Sequence, residues 1–178
     1  MNSDRDIELV KRFQGGDIAA FEQFIESHQA RLYRLAGAFL YRESLAEDAV
    51  QEVFIRAYRG LPAFRFASMP FSWLYRTLRN VCHEMNRKHR HELDYSVMEN
   101  ESFEETTMLE NQQKLKEVYK ALLGLSRRER DVVLLRVFEE FSEKETATVL
   151  GVRQGTVKTL LHRGLKKLQS KCGDILER

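Results

Sequence analysis

Apolar residues recur every three or four positions along most of the chain, the period of helices with one buried face. Ile7, Val10 and Phe13 mark a short first helix, capped by Ser3 or Asp4 and stopped at Gly15-Gly16. Asp17 stands where an N-cap belongs, ahead of a longer helix with an inward stripe of Phe21, Phe24, Ile25, His28, Leu32, Leu35, Phe39 and Leu40. His28 lies on that apolar stripe and reads as a hydrogen-bonded packing residue. Ser44 and Glu47 have capping-box spacing and predict a third helix, Leu45 to Arg59. Ala46, Ala49, Val50, Val53 and Ala57 face inward there, with Tyr58 at the margin. Gly60 ends it. After an apolar loop over 61–70, a fourth helix runs from Phe71 to about Arg90, with Phe71, Leu74, Leu78, Val81, Cys82 and Met85 inward.

The period is lost over residues 92–110 (ELDYSVMENESFEETTMLE), which predict an acidic, extended and partly disordered linker. It returns near Thr107, with Leu115, Val118, Tyr119 and Leu122 inward and Gly124 as the stop. Ser126 and Glu129 form another capping box before a helix to Phe138, whose Val132, Val133, Leu135 and Val137 are available to a core. Ser142 and Glu145 repeat the box. A short helix with Ala147 and Leu150 inward follows, then the turn Gly151-Val152-Arg153. A last helix begins near Gln154 with Val157, Leu161, Leu165 and Leu168 inward. Two helices joined by a tight glycine turn make a helix-turn-helix, whose second helix enters a DNA major groove. An ordinary antiparallel helix pair with a solvated basic face has the same local pattern.

Composition changes this picture in two ways. The 178 residues contain two prolines and nine glycines, which leaves long helices intact and points to an all-α protein. The net charge of +2 conceals a division: +3 over residues 1–90, −7 over 91–111 and +6 over 112–178. Two basic blocks around an acidic stretch suit two small nucleic-acid-binding domains better than one enzyme core. The N-terminus is too charged for a signal peptide and no apolar run reaches membrane-spanning length. Cys82 and Cys172 then suggest free thiols in a reducing cytoplasm. Cys82, His83, His89 and His91 match no ligand spacing, so no metal or other cofactor is expected. No phosphate loop or nucleophile–base pair is visible, and the chain is not expected to be an enzyme.

Three exposed faces carry candidate chemistry. The third helix shows Glu47, Asp48, Gln51, Glu52, Arg56 and Arg59, either a solvated face or a docking face whose charges set register. The fourth shows Trp73, Arg76, Thr77, Asn80, His83 and Arg87. A ring, guanidiniums and an amide suit single-stranded nucleic acid: bases stack, phosphates are neutralised, and an amide reads a base edge. The bland alternative is a solvated face with Trp73 folded onto its neighbours. The loop before this helix holds Phe64, Arg65 and Phe66 between two prolines, and either packs down or presents aromatic surface. The last helix shows Thr156, Lys158, Thr159, Arg163, Lys166 and Lys167.

Residues 46–59 (AEDAVQEVFIRAYR), 71–82 (FSWLYRTLRNVC), and 125–130 (LSRRER) followed by 155–159 (GTVKT) together resemble the extracytoplasmic-function group of the sigma-70 family. The resemblance covers nearly the whole chain in the family's order. It implies an all-α protein of two small helical domains: a region 2-like domain over 1–90, an acidic flexible linker over 91–111, and a region 4-like helix-turn-helix domain over 112–178. It implies a factor that directs core RNA polymerase to promoters and assists strand separation, in a stress or envelope response. Asp48, Gln51, Glu52, Phe54 and Arg56 would bind core polymerase, through its β′ coiled coil. Phe64, Arg65, Trp73, Arg76, Asn80 and Arg87 would bind the −10 element, and Arg153, Gln154, Thr156, Lys158, Thr159 and Arg163 the −35 element. The implied partners are core RNA polymerase (β′ and β), promoter DNA and an anti-sigma factor, with a cytoplasmic location and no membrane insertion. The linker would run through the polymerase RNA channel. The family often has basic residues where Leu160 and Leu165 stand; Leu165 is expected to join the apolar stripe, and Leu160 to replace a DNA contact. The competing reading is a helix-turn-helix regulator with a helical sensing or dimerisation domain.

Overall fold

A computed structural model describes residues 3–93 and 110–176, and among these every regular element is a helix. The all-α expectation holds. The linker residues 94–109, the side chain of Leu115 and that of Cys172 lie outside the described residues. The chain divides into two units, Met1–Glu92 and Leu93–Arg178.

The first unit contains α1 (Ser3–Gln14), α2 (Ile18–Phe39), α3 (Ala46–Gly60) and α4 (Pro70–Leu93). Asp17 caps α2 as expected, accepting from the Ala20 amide at 3.1 Å, and it holds Arg12 at 2.7 Å. The core is built from Val10, Phe24, Leu32, Val53, Leu74, Tyr75 and Leu78, all fully buried. His28 packs with its ring between those of Phe24 and Phe71, but the expected hydrogen bond is not formed: its Nε2 lies 3.0 Å from the carboxylate of Asp6 without hydrogen-bond geometry. Cys82 is buried, and burial pushes its thiol up to about 12, which keeps it protonated and unreactive. At the far end of α2, Asn86 of α4 donates to the Phe39 carbonyl at 2.8 Å and accepts from the Tyr41 amide at 3.1 Å. Backbone groups left over at a helix end are satisfied in this way.

The expected Ser44–Glu47 capping box does not form. A 3₁₀ turn, Glu43–Leu45, precedes α3, and Leu45 is its cap with no side-chain hydrogen bond. A capping side chain needs extended backbone at the cap. Leu45 is already helical, at φ −87° and ψ −2°.

The second unit contains α5 (Glu110–Leu123), α6 (Arg127–Val133), α7 (Glu143–Leu150) and α8 (Gln154–Leu176). Both remaining capping boxes are complete, at Ser126–Glu129 and Ser142–Glu145. Gly151 ends α7 at φ 65°, ψ 38°, a left-handed conformation that costs other residues a steric penalty. Arg130 is buried, and its guanidinium donates to the carbonyls of Leu122 and Leu123 at 2.9 and 2.8 Å, closing the end of α5. Gly164 lets α8 lie close on α6: a Cβ there would stand 2.8 Å from a Val133 methyl.

Val137 is a correction. It was expected in the core, yet it is 49% exposed, as is Phe138. The helix after α6 widens into a π turn over Leu134–Phe138, with Glu139 N–H donating to Leu134 O at 3.0 Å. An i→i+5 turn shifts the helical register. Leu134 and Leu135 are carried inward and Val137 outward.

Candidate nucleic-acid interface

α3 stands as a ridge between two hollows. One is lined by Ile25, Tyr33, Val50, Gln51 and Phe54, the other by Asp48, Gln51, Ile55, Glu84 and Met85. Gln51 belongs to both. Asp48 and Gln51 are exposed, and Phe54 is half-buried in the first hollow. Arg56 is differently placed from its sequence neighbours. Its guanidinium binds Glu52 at 2.7 Å and Glu84 of α4 at 2.8 Å. Glu84 and then Glu52 raise the arginine further above its ordinary value, and Arg56 in turn lowers Glu84. Arg56 and Glu52 thus link α3 to α4, while Asp48 and Gln51 are turned to the surface where a partner could meet them.

The outer side of α4 carries the aromatic–arginine face. Trp73 is half-buried, lying across Gly60 so closely that a Cβ there would be 2.8 Å from the indole ring. Thr77 donates to the Trp73 carbonyl at 2.9 Å, one turn further along the helix. Arg76 donates to Ser68 Oγ at 2.9 Å and so ties the preceding loop to the helix. Asn80 and Arg87 are exposed, seven and fourteen residues beyond Trp73 on one side of the helix. That loop begins with a 3₁₀ turn, Leu61–Ala63. Phe64 and Phe66 are half-buried and meet edge to face at 5.1 Å, with Arg65 exposed between them. Phe66 has φ 56°, uncommon for an aromatic residue and costing about 1–2 kcal/mol.

α8 presents the third surface. Val157 is fully buried with Val132 and Ala147, and Leu160 and Leu161 pack against that cluster. The outcome for the two leucines is the reverse of expectation: Leu160 belongs to the core side and Leu165 is 43% exposed. The inward stripe runs Val157, Leu160/Leu161, Gly164, Leu168, which leaves Leu165 on the flank with Lys158, seven residues earlier. Arg153, Gln154, Lys158, Thr159 and Arg163 are exposed and Thr156 is half-buried. Lys158 leans towards Glu143 of α7, at 3.7 Å, and Thr159 donates to Gly155 O at 3.0 Å. Lys167 turns away from this surface, its ammonium 2.8 Å from both carboxylate oxygens of buried Glu129. Lys166 is exposed on the same side, as expected, and so is His162 one turn beyond Lys158, which the sequence reading does not name; the i+4 spacing was the available signal. The first turn of α8 has no acidic residue, so nothing there opposes the helix dipole, which favours a phosphate.

A helix-turn-helix with a basic outer side in one unit, and an aromatic–arginine helix face in the other, are the features of a DNA-binding protein. Residues 24–92 match the family model for Sigma-70 region 2, and residues 115–168 the one for Sigma-70, region 4. The ECF RNA polymerase sigma factor SigM of Mycobacterium tuberculosis is 31% identical over 92% of this chain and 82% of its own length. The ECF sigma factor SigW of Bacillus subtilis is 28% identical over 93% of this chain and 96% of its own. Among solved structures, the sigma factor RpoE of Bartonella quintana, in complex with the anti-sigma factor NepR, superposes with a TM-score of 0.70 at 26% identity, covering 86% of this chain and 96% of that one. The chain belongs to the ECF sigma factors of the sigma-70 family, which direct RNA polymerase to promoters and are not themselves enzymes. A lone helix-turn-helix regulator would not carry the region 2 match over 24–92. No helix among the described residues is long and apolar enough to cross a membrane.

Proposed function

We propose that the three surfaces divide promoter recognition between them. Asp48, Gln51 and Phe54, with Glu52 and Arg56 holding the helix in place, dock α3 on the β′ coiled coil of core polymerase. Phe64, Arg65, Trp73, Arg76, Asn80 and Arg87 capture unpaired −10 bases, and Arg153, Gln154, Thr156, Lys158, Thr159 and Arg163 fix the −35 duplex. The unit over 1–90 thus serves polymerase and −10 binding, and the one over 112–178 serves −35 binding. The acidic stretch 91–111 lies in the polymerase RNA channel, where its carboxylates stand in for RNA phosphates. The factor works in the cytoplasm in a stress or envelope response and is held inactive by an anti-sigma protein, as RpoE of Bartonella quintana is found bound to one.

The observation that carries this reading is the α4 face, with Asn80 and Arg87 exposed in line beyond a Trp73 that stays half-open to solvent although it packs on Gly60, and with Arg76 fixed by Ser68. Strand separation needs such a face, because each base leaving the stack must find another ring or polar edge. Losing a stacking ring costs about 1–3 kcal/mol, a factor of roughly 5 to 150 in an opening equilibrium. Trp73→Ala should therefore open duplex promoters poorly while binding −35 duplex normally. A promoter with its −10 region already unpaired should recover part of the loss, whereas Asn80→Ala, which removes a base-edge contact, should stay defective on both. Permanganate footprinting of the two templates measures this. Normal opening by Trp73→Ala would show α4 to be solvated surface.

A further inference from the structure

We propose that Gln14 of α1 is a positioning residue for the −10-reading loop, setting the pose of Phe64 and Arg65 without touching DNA itself. The side-chain amide donates to two backbone carbonyls at once, Leu61 O at 2.9 Å and Phe64 O at 2.9 Å. Those acceptors lie 47 and 50 residues further along the chain. An amide NH₂ has two donors, and here both are used on one turn. The Phe64 amide closes the same turn onto Leu61 O at 3.0 Å. Gln14 therefore clamps both ends of the 3₁₀ turn immediately ahead of Phe64.

One helical turn earlier, Lys11 places its ammonium 5.7 Å from the centre of the Phe66 ring. Phe66 is the residue held at positive φ, and its ring also packs edge to face on Phe64. A strained residue persists only where its surroundings over-determine it, and such residues cluster at binding sites. Here the surroundings are α1 on one side and the Arg76–Ser68 contact on the other. The result is a loop in which two half-buried rings flank one exposed arginine. Gln14 is itself exposed, so its hydrogen bonds serve the loop rather than the packing of the core.

This inference rests on the reading that the loop contacts −10 bases, and the test separates the two. Holoenzyme is assembled from core polymerase and the full chain, as wild type, Gln14→Glu, Gln14→Ala or Phe64→Ala. Each selects from a promoter library randomised through the −10 and −35 elements. Gln14→Glu keeps the shape of the side chain but offers the two carbonyls an acceptor in place of a donor. It should flatten base preference by about fivefold to tenfold, the scale of one or two lost hydrogen bonds, at the same −10 position that Phe64→Ala affects. Gln14→Ala should do so to a smaller degree, and −35 preferences should be unchanged in both. Wild-type −10 preference in both Gln14 variants, with Phe64→Ala altered, overturns the positioning role alone. So does an even loss of affinity with no change in preference, which is what a purely structural residue gives. Wild-type preference in Phe64→Ala overturns the loop reading and the inference with it.

Discussion

The carboxylate of Glu129 accepts from the Ser126 amide and hydroxyl and from the Lys167 ammonium, all between 2.8 and 3.1 Å, while only 6% of its side chain is exposed. Lys167 first, and then Ser126, hold it below the usual glutamate range. Its folded-state value is thus lower than its unfolded one, so the pair's contribution is fully present at neutral pH. That contribution is lost as pH falls from about 4.3 through the lower folded value. Glu129→Gln should cost about 1.5–3 kcal/mol at pH 7, the range for hydrogen bonds to a charged group, and should flatten the acid limb of stability. Urea titrations of both proteins from pH 7 to 3 check this, and parallel curves would contradict it. The two leucines of α8 make a second pair. Leu160→Ala should destabilise the chain by about 1–2 kcal/mol, since a half-buried leucine packs on Val132, Ala147 and Val157. Leu165→Lys should leave stability alone, add a cation beside Lys158, and steepen the salt dependence of −35 duplex binding by about one unit. An unchanged slope would place Leu165 away from the phosphates. Spacing alone could not assign these side chains. Leu161 and Leu165 share the helical spacing that also links Thr159 and Arg163 on the outer side. Which positions turn inward depends on Gly164 admitting α6, a tertiary contact.

Among the elements, α3 is the sharpest case of what pattern shows and what it hides. The buried side of Ala46, Ala49, Val50, Val53 and Ala57 was legible because a 3.6-residue period leaves one solution. The function of the outer charges was not, because Arg56 reaches Glu84, 28 residues away, and no local rule predicts that partner. The same holds for the Ser44–Glu47 spacing, which satisfied a motif that the 3₁₀ turn at Glu43–Leu45 then displaced. Asp48→Lys should weaken core polymerase binding without loss of helicity, since it reverses a charge on the exposed part of the ridge. Glu52→Lys should do so too, but with a lower melting temperature, because it removes one of the Arg56 carboxylates and sets two cations together. Polymerase titration alongside circular dichroism separates the two effects. Full affinity in Asp48→Lys would remove α3 from the docking surface. The loop over 61–70 was the least legible element, since its pose depends on Gln14 from an earlier helix and on a positive φ at Phe66.

For the whole molecule, the all-helical class was readable because periodic stretches separated by Gly15-Gly16, Gly60, Gly124 and Gly151 leave no segment with a strand's alternation. Charge was informative at this scale too. The +3, −7 and +6 blocks mark two basic segments around an acidic one, the division the proposed roles require. What made function legible was the order of three motifs, which no single helix face carries. The central claim is that this chain makes core polymerase initiate at promoters by itself. Run-off transcription on a pool of genomic fragments, with purified core polymerase and no other sigma factor, tests it most directly. The account predicts discrete transcripts from a small set of start sites, dependent on this protein and lost when either unit is deleted. Core polymerase that stays silent with this protein, yet responds to it once a second sigma factor is added, would contradict the account and make the chain a regulator.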